Sequence, residues 1–419
     1  MSLYQTRGKL IFDGVDVVTL AELVGTPVYV YSWSSIAQQL TTIQRDLAPL
    51  NVHIHYAVKA NSNLAILHRL EKHGIGFDVV SEGELSKVLQ VGCDPSKVVF
   101  SGVGKSLEEL SFALKIGVGC INIESNAELV RLIQIANQLN VTDTKIALRV
   151  NPSVAIESHH NISTANNTSK FGILPDEIDH SIELIAGNRH LTLTGISFHL
   201  GSEIHTIQPY CQALTVILDV ADRLISANFP MQHLNLGGGF AIPNQDSEGF
   251  SFKELRKTLR HTIQGQNFTV HIEPGRFIVG QAGILITRVE YLKENSVENR
   301  PTYAIVDAGM NDFMRPMLYD AKPSVRSVTS KLSKPKKISI AGPICESTDV
   351  FCTDTMLTVG ADDLLVLEDV GAYGFSLSSN YNTRPRIAEL LIENGDIHIV
   401  RERETISDLY KLEKVKIHD

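Results

Sequence analysis

Through roughly its first 280 residues the chain alternates short apolar runs with longer stretches of helical spacing, and after that its texture changes. After an opening run, VYVYS (28–32), eight strand-like segments follow: IHYAVKA (54–60), GFDVV (76–80), KVVFSG (97–102), CINIES (120–125), KIALRVN (145–151), TGISFHL (194–200), HLNLGGG (233–239) and FTVHIEPG (268–275). The stretches between them read as amphipathic helices. In NLAILHRLEKHG (63–74), Leu64, Leu67, Leu70 and Glu71 fall on one face, and SEGELSKVLQVG (81–92) has the same character. Gly74 and Gly92 stand where a helix end wants a residue that tolerates positive φ. Apolar strands joined by helices pair in parallel, because a parallel neighbour needs a crossover. An α/β fold follows: a (β/α)8 barrel over residues 28–280, with an open doubly wound sheet as the alternative. The count of eight, with no visible break in strand order, favours the barrel.

From about residue 281, GILITRVEYLK, TYAIVDAG, KKISIAGP and DLLVLEDVG are β-rich, with turn residues and little helical period. They predict a second, mostly antiparallel β domain over 281–419, joined by the N-terminal strands of 1–27. The long polar stretch 152–170 reads as a functional cover rather than a link.

Composition narrows the partners. The 419 residues suit two domains. No run of about 18 apolar residues appears, and MSLYQTRGKLIFDG lacks the marks of a signal peptide, so a cytoplasmic protein with no membrane partner is expected. The net charge of −9, without long runs of one sign, argues against nucleic acid. Five scattered cysteines (Cys93, Cys120, Cys211, Cys345, Cys352) make no disulfide framework and no CxxC zinc pair. His159 and His160 have no third ligand at metal spacing and read as solvated loop, so no metal is expected.

The chemistry gathers by position. Lys59, Ser101, Glu124, Asn151, His199, Gly237 to Gly239 and Glu273 to Arg276 all fall at the C-terminal ends of the predicted strands. In a parallel barrel those ends share the face that holds active sites. Lys59, ending an apolar strand, is placed for a desolvated and nucleophilic amine. A lysine snorkelling to the rim is equally compatible with Lys59 taken alone. LGGGF (236–240) offers bare backbone to an anion, or simply a tight turn. EPGR (273–276) offers an acid able to keep a heterocyclic nitrogen protonated, or a salt-bridged turn. His199 is either a satisfied core histidine or a ring stacked on a cofactor. SGVGKS (101–106) mimics a phosphate loop, but Val99 stands where that motif needs glycine. Further on, GPICESTD (342–349) sets a cysteine beside a glutamate, GAYGF (371–375) sets a tyrosine between small residues, and Arg315 and Tyr319 lie four apart.

Taken in order, YAVKAN, FDVVSEGEL, RVNPS, STANNTSKFGI, HLGS, GGGF, EPGR, DAGMNDFMRPMLYDA, GPICESTD and GAYGFSLSSNYNTRPRIAE resemble the alanine-racemase-like enzymes of fold type III. Those enzymes use pyridoxal 5'-phosphate (PLP), and the likeness is specifically to the diaminopimelate decarboxylases. It spans nearly the whole chain. It implies decarboxylation of meso-2,6-diaminopimelate to L-lysine and CO2, the last step of lysine biosynthesis. Lys59 would be the Schiff-base lysine, Glu273 would face the pyridine nitrogen and His199 would stack on the ring. Ser202, Gly238, Gly239, Gly275, Arg276 and Tyr373 would hold the phosphate. Arg276, Arg315, Tyr319 and Tyr373 would meet substrate, and Glu346 would read the distal amino group. The resemblance also implies a homodimer with shared active sites, in which Cys345 of the partner subunit protonates the carbanion; an ordinary thiol keeps its proton at neutral pH.

Ornithine and arginine decarboxylases of the same fold share the lysine, EPGR and cysteine, but carry Asp after the cysteine where this chain has Glu346. They are the alternative. Phe240 after the glycines and Lys322–Pro323 after Tyr-Asp-Ala depart from the usual diaminopimelate pattern. A non-catalytic regulatory homologue would have lost Lys59, EPGR or Cys345, and an alanine racemase would carry a tyrosine at Cys345.

Overall fold

Eight strands of the computed structural model pair in parallel and close on themselves: Val52–Ala57, Gly76–Val79, Val98–Phe100, Cys120–Ile123, Thr144–Arg149, Leu191–Ser197, His233–Asn235 and Thr269–Ile272. The last returns to the first through Val270 opposite Val52 and Ile272 opposite Ile54. Each predicted segment overlaps one of these strands, and closure excludes the open doubly wound sheet. The structure describes residues 3–154, 169–243, 247–294, 301–328 and 334–415. Of the expected cover at 152–170, residues 155–168, with His159 and His160, lie outside the described residues.

The crossovers are helices, and several begin where a side chain can take an orphan amide. Asn63 accepts from Ala65 N ahead of Leu64–Lys72, and Ser81 accepts from Glu84 N ahead of Glu82–Gln90. In the first of these the buried face is Ile66, Leu67 and Leu70. Leu64, expected on that face, is 44% exposed in the opening turn. The lysine of SGVGKS is structural: Lys105 Nζ donates to the carbonyls of Gly102 and Asn122 and pairs with Glu128 at 2.6 Å.

The chain divides into two compact units, Leu40–Phe277 and, separately, Met1–Gln39 with Ile278–Asp419. The second holds a three-stranded antiparallel sheet (Leu3–Thr6, Lys9–Phe12, Val15–Asp16) and a mostly antiparallel nine-stranded sheet. Val28–Ser32, read from sequence as the first strand of the barrel unit, instead lies in that sheet. It runs antiparallel to Gly283–Lys293 and parallel to Ala388–Glu393. The boundaries therefore fall after Gln39 and Phe277 rather than at 28 and 280. Val28 and Val30 enter one apolar core with Leu10, Leu20, Ile286 and Leu390. On the other face Tyr29 donates to the Asp312 carbonyl and Tyr31 to Glu389. Buried on both faces, the strand has the all-apolar look of a parallel barrel strand. Among the described residues no helix is long and apolar enough to cross a membrane.

Candidate active site

Lys59 sits in a one-turn 3-10 segment, Val58–Ala60, directly after Val52–Ala57. The segment is braced from both sides: Tyr56 Oη donates to the Asn61 carbonyl at 3.0 Å, and Asn61 Oδ1 accepts from Asn63 N. Lys59 faces a cavity of about 110 Å³ that also takes in Asp78, Arg149, His199 and Glu273. The cavity thus lies at the C-terminal mouth of the barrel, where position predicted it. Ser197 Oγ and Asn122 Oδ1, both buried on its wall, have no hydrogen-bond partner among the described residues. Buried polar atoms of this kind are uncommon without a ligand or water to satisfy them.

Electrostatics single out Glu273. Burial pushes its carboxyl up, nearby Asp78 adds to that, and Lys59 opposes it. Asn235 Nδ2 donates to Glu273 Oε1 at 2.6 Å, which fixes the carboxyl group's direction. Burial raises Asp78 as well, again with Lys59 opposing. Two acids beside one amine make a site whose proton count responds to any further cation. His199 is held well below its ordinary value by burial, then by Lys59 and Arg149. Gly238 N–H donates to His199 Nδ1 at 3.1 Å, so the neutral ring carries its proton on Nε2. Arg149 is anchored by Glu124 at 2.5 Å and lies over the Phe171 ring at 4.8 Å.

The glycine turn is required sterically. A Cβ on Gly238 would stand 2.1 Å from the Glu273 carbonyl oxygen, and one on Gly239 would stand 2.2 Å from that of Gly201. Gly239 also has φ +97°. The Gly238 amide is committed to His199. Beside this turn, buried Arg276 donates to Ser202 Oγ at 3.1 Å and pairs with Glu203 at 3.4 Å. Gly275 allows the close approach: its Cβ would lie 2.9 Å from that of Ala60.

The remaining predicted residues lie in the other unit. Arg315 is buried and opens the short helix Arg315–Tyr319. Cys345 and Glu346 are exposed. Their loop is shaped by Asp349, which accepts from Ile344 N and Met310 N, each at 2.7 Å. Cys345 N donates to Asn382 Oδ1 at 2.9 Å, and Tyr381 Oη donates to Glu346. Tyr373 holds φ +55°, a left-handed conformation costly for a bulky side chain and concentrated at functional sites. Asp78, Asn122, Arg149, Asn235 and Tyr381 were not singled out from sequence. Asp78 and Arg149 had a usable signal, since each is a charge inside or at the end of an otherwise apolar strand.

Residues 33–280 match the family described as pyridoxal-dependent decarboxylase, pyridoxal binding domain. The chain is 42% identical over 402 residues to the diaminopimelate decarboxylase of Pseudomonas aeruginosa, covering 96% of each chain. A diaminopimelate decarboxylase from M. jannaschii, solved with L-lysine, is 32% identical with a TM-score of 0.93 over 99% of this chain and 98% of its own. That from Helicobacter pylori, also solved with L-lysine, is 36% identical with a TM-score of 0.90 over 94% and 98%. The residues present fit PLP. An amine and a carboxyl share one cavity, four buried atoms of its lining residues (Ser197 Oγ, Asn122 Oδ1 and both Asp78 carboxylate oxygens) have no hydrogen-bond partner among the described residues, and a bare glycine turn adjoins a hydroxyl and a guanidinium. With its barrel, that donor set and these relatives, the chain belongs to the pyridoxal-dependent decarboxylases, and within them to the diaminopimelate decarboxylase family of carboxy-lyases.

Proposed function

We propose that this chain removes the carboxylate at one centre of meso-2,6-diaminopimelate, releasing CO2 and L-lysine, in the cytoplasm and as a homodimer. The observation that carries the reading is Lys59 and Glu273 in one buried cavity at the mouth of a decarboxylase-family barrel. The L-lysine complexes of two relatives support it, because lysine is the product of this reaction. When bound, PLP supplies a ring that accepts the electron pair left as CO2 departs. Lys59 would hold the cofactor through its side-chain amine and would use the same amine again to free the product. Glu273, raised by burial and Asp78, keeps a proton at the ring-nitrogen position, and Asn235 fixes its direction. His199, neutral through its Gly238 bond, gives a flat uncharged face to pack against the ring. Ser202, Gly238, Gly239, Gly275 and Arg276, with Tyr373, hold the phosphate.

Arg276, Arg315, Tyr319 and Tyr373 orient substrate carboxylates, and Glu346 takes the distal ammonium. Cys345 Sγ of the partner subunit gives its proton to Cα. Exposure of Cys345 and Glu346 in a single chain supports a role completed by a second protomer. Labelled CO2 release from meso-diaminopimelate, ornithine and arginine, with PLP added, tests the substrate. Preference for diaminopimelate by about 10⁴-fold or more is expected of a site built for a second charged end. Equal or better turnover of ornithine or arginine would assign the chain to that other specificity.

A further inference from the structure

A cavity much larger than the one at Lys59 lies elsewhere in the same unit. It has a volume of about 600 Å³ and opens among the N-terminal ends of the barrel strands, within Leu40–Phe277. Its size is that of a small-metabolite pocket. Its chemistry is one-sided. Five histidines line it (His53, His55, His73, His233, His271), with Lys97 and Lys145, and no Asp or Glu is among the lining residues.

Four of the imidazoles form a column centred on His271. The ring of His53 lies 5.1 Å away, that of His55 4.9 Å and that of His233 4.6 Å. Glycine makes room for them: a Cβ on Gly195 would lie 2.0 Å from His233 Nε2, and one on Gly76 would lie 2.7 Å from His55 Nδ1. His55 Nδ1 donates to the Lys97 carbonyl at 3.2 Å, while its buried Nε2 has no hydrogen-bond partner, and neither has His271 Nδ1. Once protonated, such open ring nitrogens on a cavity wall become donors to which an acceptor-rich ligand would bond.

We propose that this cavity is a second binding site, at the barrel mouth opposite Lys59, for a small multivalent oxyanion of the polycarboxylate or phosphorylated-metabolite class. Lys97 and Lys145 supply fixed positive charge at its rim. His55 and His271, once protonated, donate from Nε2 and Nδ1. A metal ion suits the site less well. The His53 and His233 rings lie within 5° and 15° of parallel to His271, so their lone pairs run side by side rather than converging at about 2 Å on one point. Among the described residues no cluster of three or more His, Cys, Asp or Glu side chains is placed to hold a metal ion.

Proton uptake accompanies binding. Burial, then neighbouring charge, holds His55 and His233 down at about 4 and His271 at about 2, so the empty column is neutral at pH 7. The other titratable wall groups are His53, His73, the two lysines and Cys120, whose Sγ lies 3.9 Å from His233 Nε2. Burial raises that thiol to about 12, so it stays neutral and offers no competing negative charge. A bound anion favours protonated imidazole and raises these values, so affinity increases as pH falls.

The test is calorimetric titration of citrate and, separately, inorganic phosphate into PLP-loaded protein, whose cofactor site is already filled, at about pH 6 and about pH 8 and constant ionic strength. Binding of either anion, about tenfold or more tighter at the lower pH, supports the site and identifies the class. Lys97→Met with Lys145→Met, both exposed positions, should weaken it about tenfold or more and leave decarboxylation without added anion unchanged. His271→Phe keeps a flat ring in the column and should abolish the pH dependence. If that variant misfolds, the lysine pair decides. No binding of either anion at about 10 mM, binding indifferent to pH and to both lysines, or tight zinc binding in place of anions would overturn the proposal.

Discussion

Glu273 and Asp78 are buried acids that face one lysine amine, and each is pushed upward by burial while Lys59 pulls it down. A cationic ring nitrogen placed at Glu273, as proposed, would shift that balance toward the charged carboxylate. Glu273→Gln keeps the shape and an acceptor for Asn235 but removes the charge. Decarboxylation should fall on the order of 10²–10³-fold with cofactor still retained; a loss under about threefold in steady-state assays would take Glu273 out of the chemistry. Lys59, His199 and Glu273 were legible from sequence because each closes a strand, and strand ends share a mouth. Asn235 was not, because nothing in HLNLGGG says its amide turns toward the next strand's carboxyl. Phe240, a departure from the usual family text, has a packing reason: it is buried against Tyr210, Phe250 and Phe252 at 4.8–5.6 Å.

At the scale of elements, the eight barrel strands were readable because each is a short apolar run followed by a helical stretch. Val28–Ser32 was misplaced for a physical reason. Periodicity reports burial, and a strand with valines on one buried face and tyrosines on the other gives no hint of which sheet buries it. The Tyr31 hydroxyl, donating to Glu389 at 2.7 Å, ties this strand to Ala388–Glu393. Because Glu389 is itself buried, Tyr31→Phe should cost about 1.5–3 kcal/mol in chemical denaturation. A change below about 0.5 kcal/mol would show that this bond does not hold the strand in place.

At the scale of the molecule, residues assigned to one reaction are distributed over two compact units: Lys59, His199, Glu273 and Arg276 in one, and Arg315, Cys345, Glu346 and Tyr373 in the other. Sequence order alone could not say which chain supplies the second group, since motifs record succession and not assembly. If Cys345 serves the partner's barrel, Lys59→Ala and Cys345→Ala proteins, each inactive alone, should recover about a quarter of full activity when mixed and re-equilibrated, because half the dimers are hybrid and one of their two sites is intact. Mixtures no more active than their components would place Cys345 in its own protomer's site.

The most direct test concerns Lys59. Protein loaded with PLP, reduced with borohydride and digested, should yield one dominant modified peptide, with the pyridoxyl group on Lys59, and Lys59→Ala should yield none. A label on any other lysine, or no label in protein that retains the cofactor, would contradict the account at its centre.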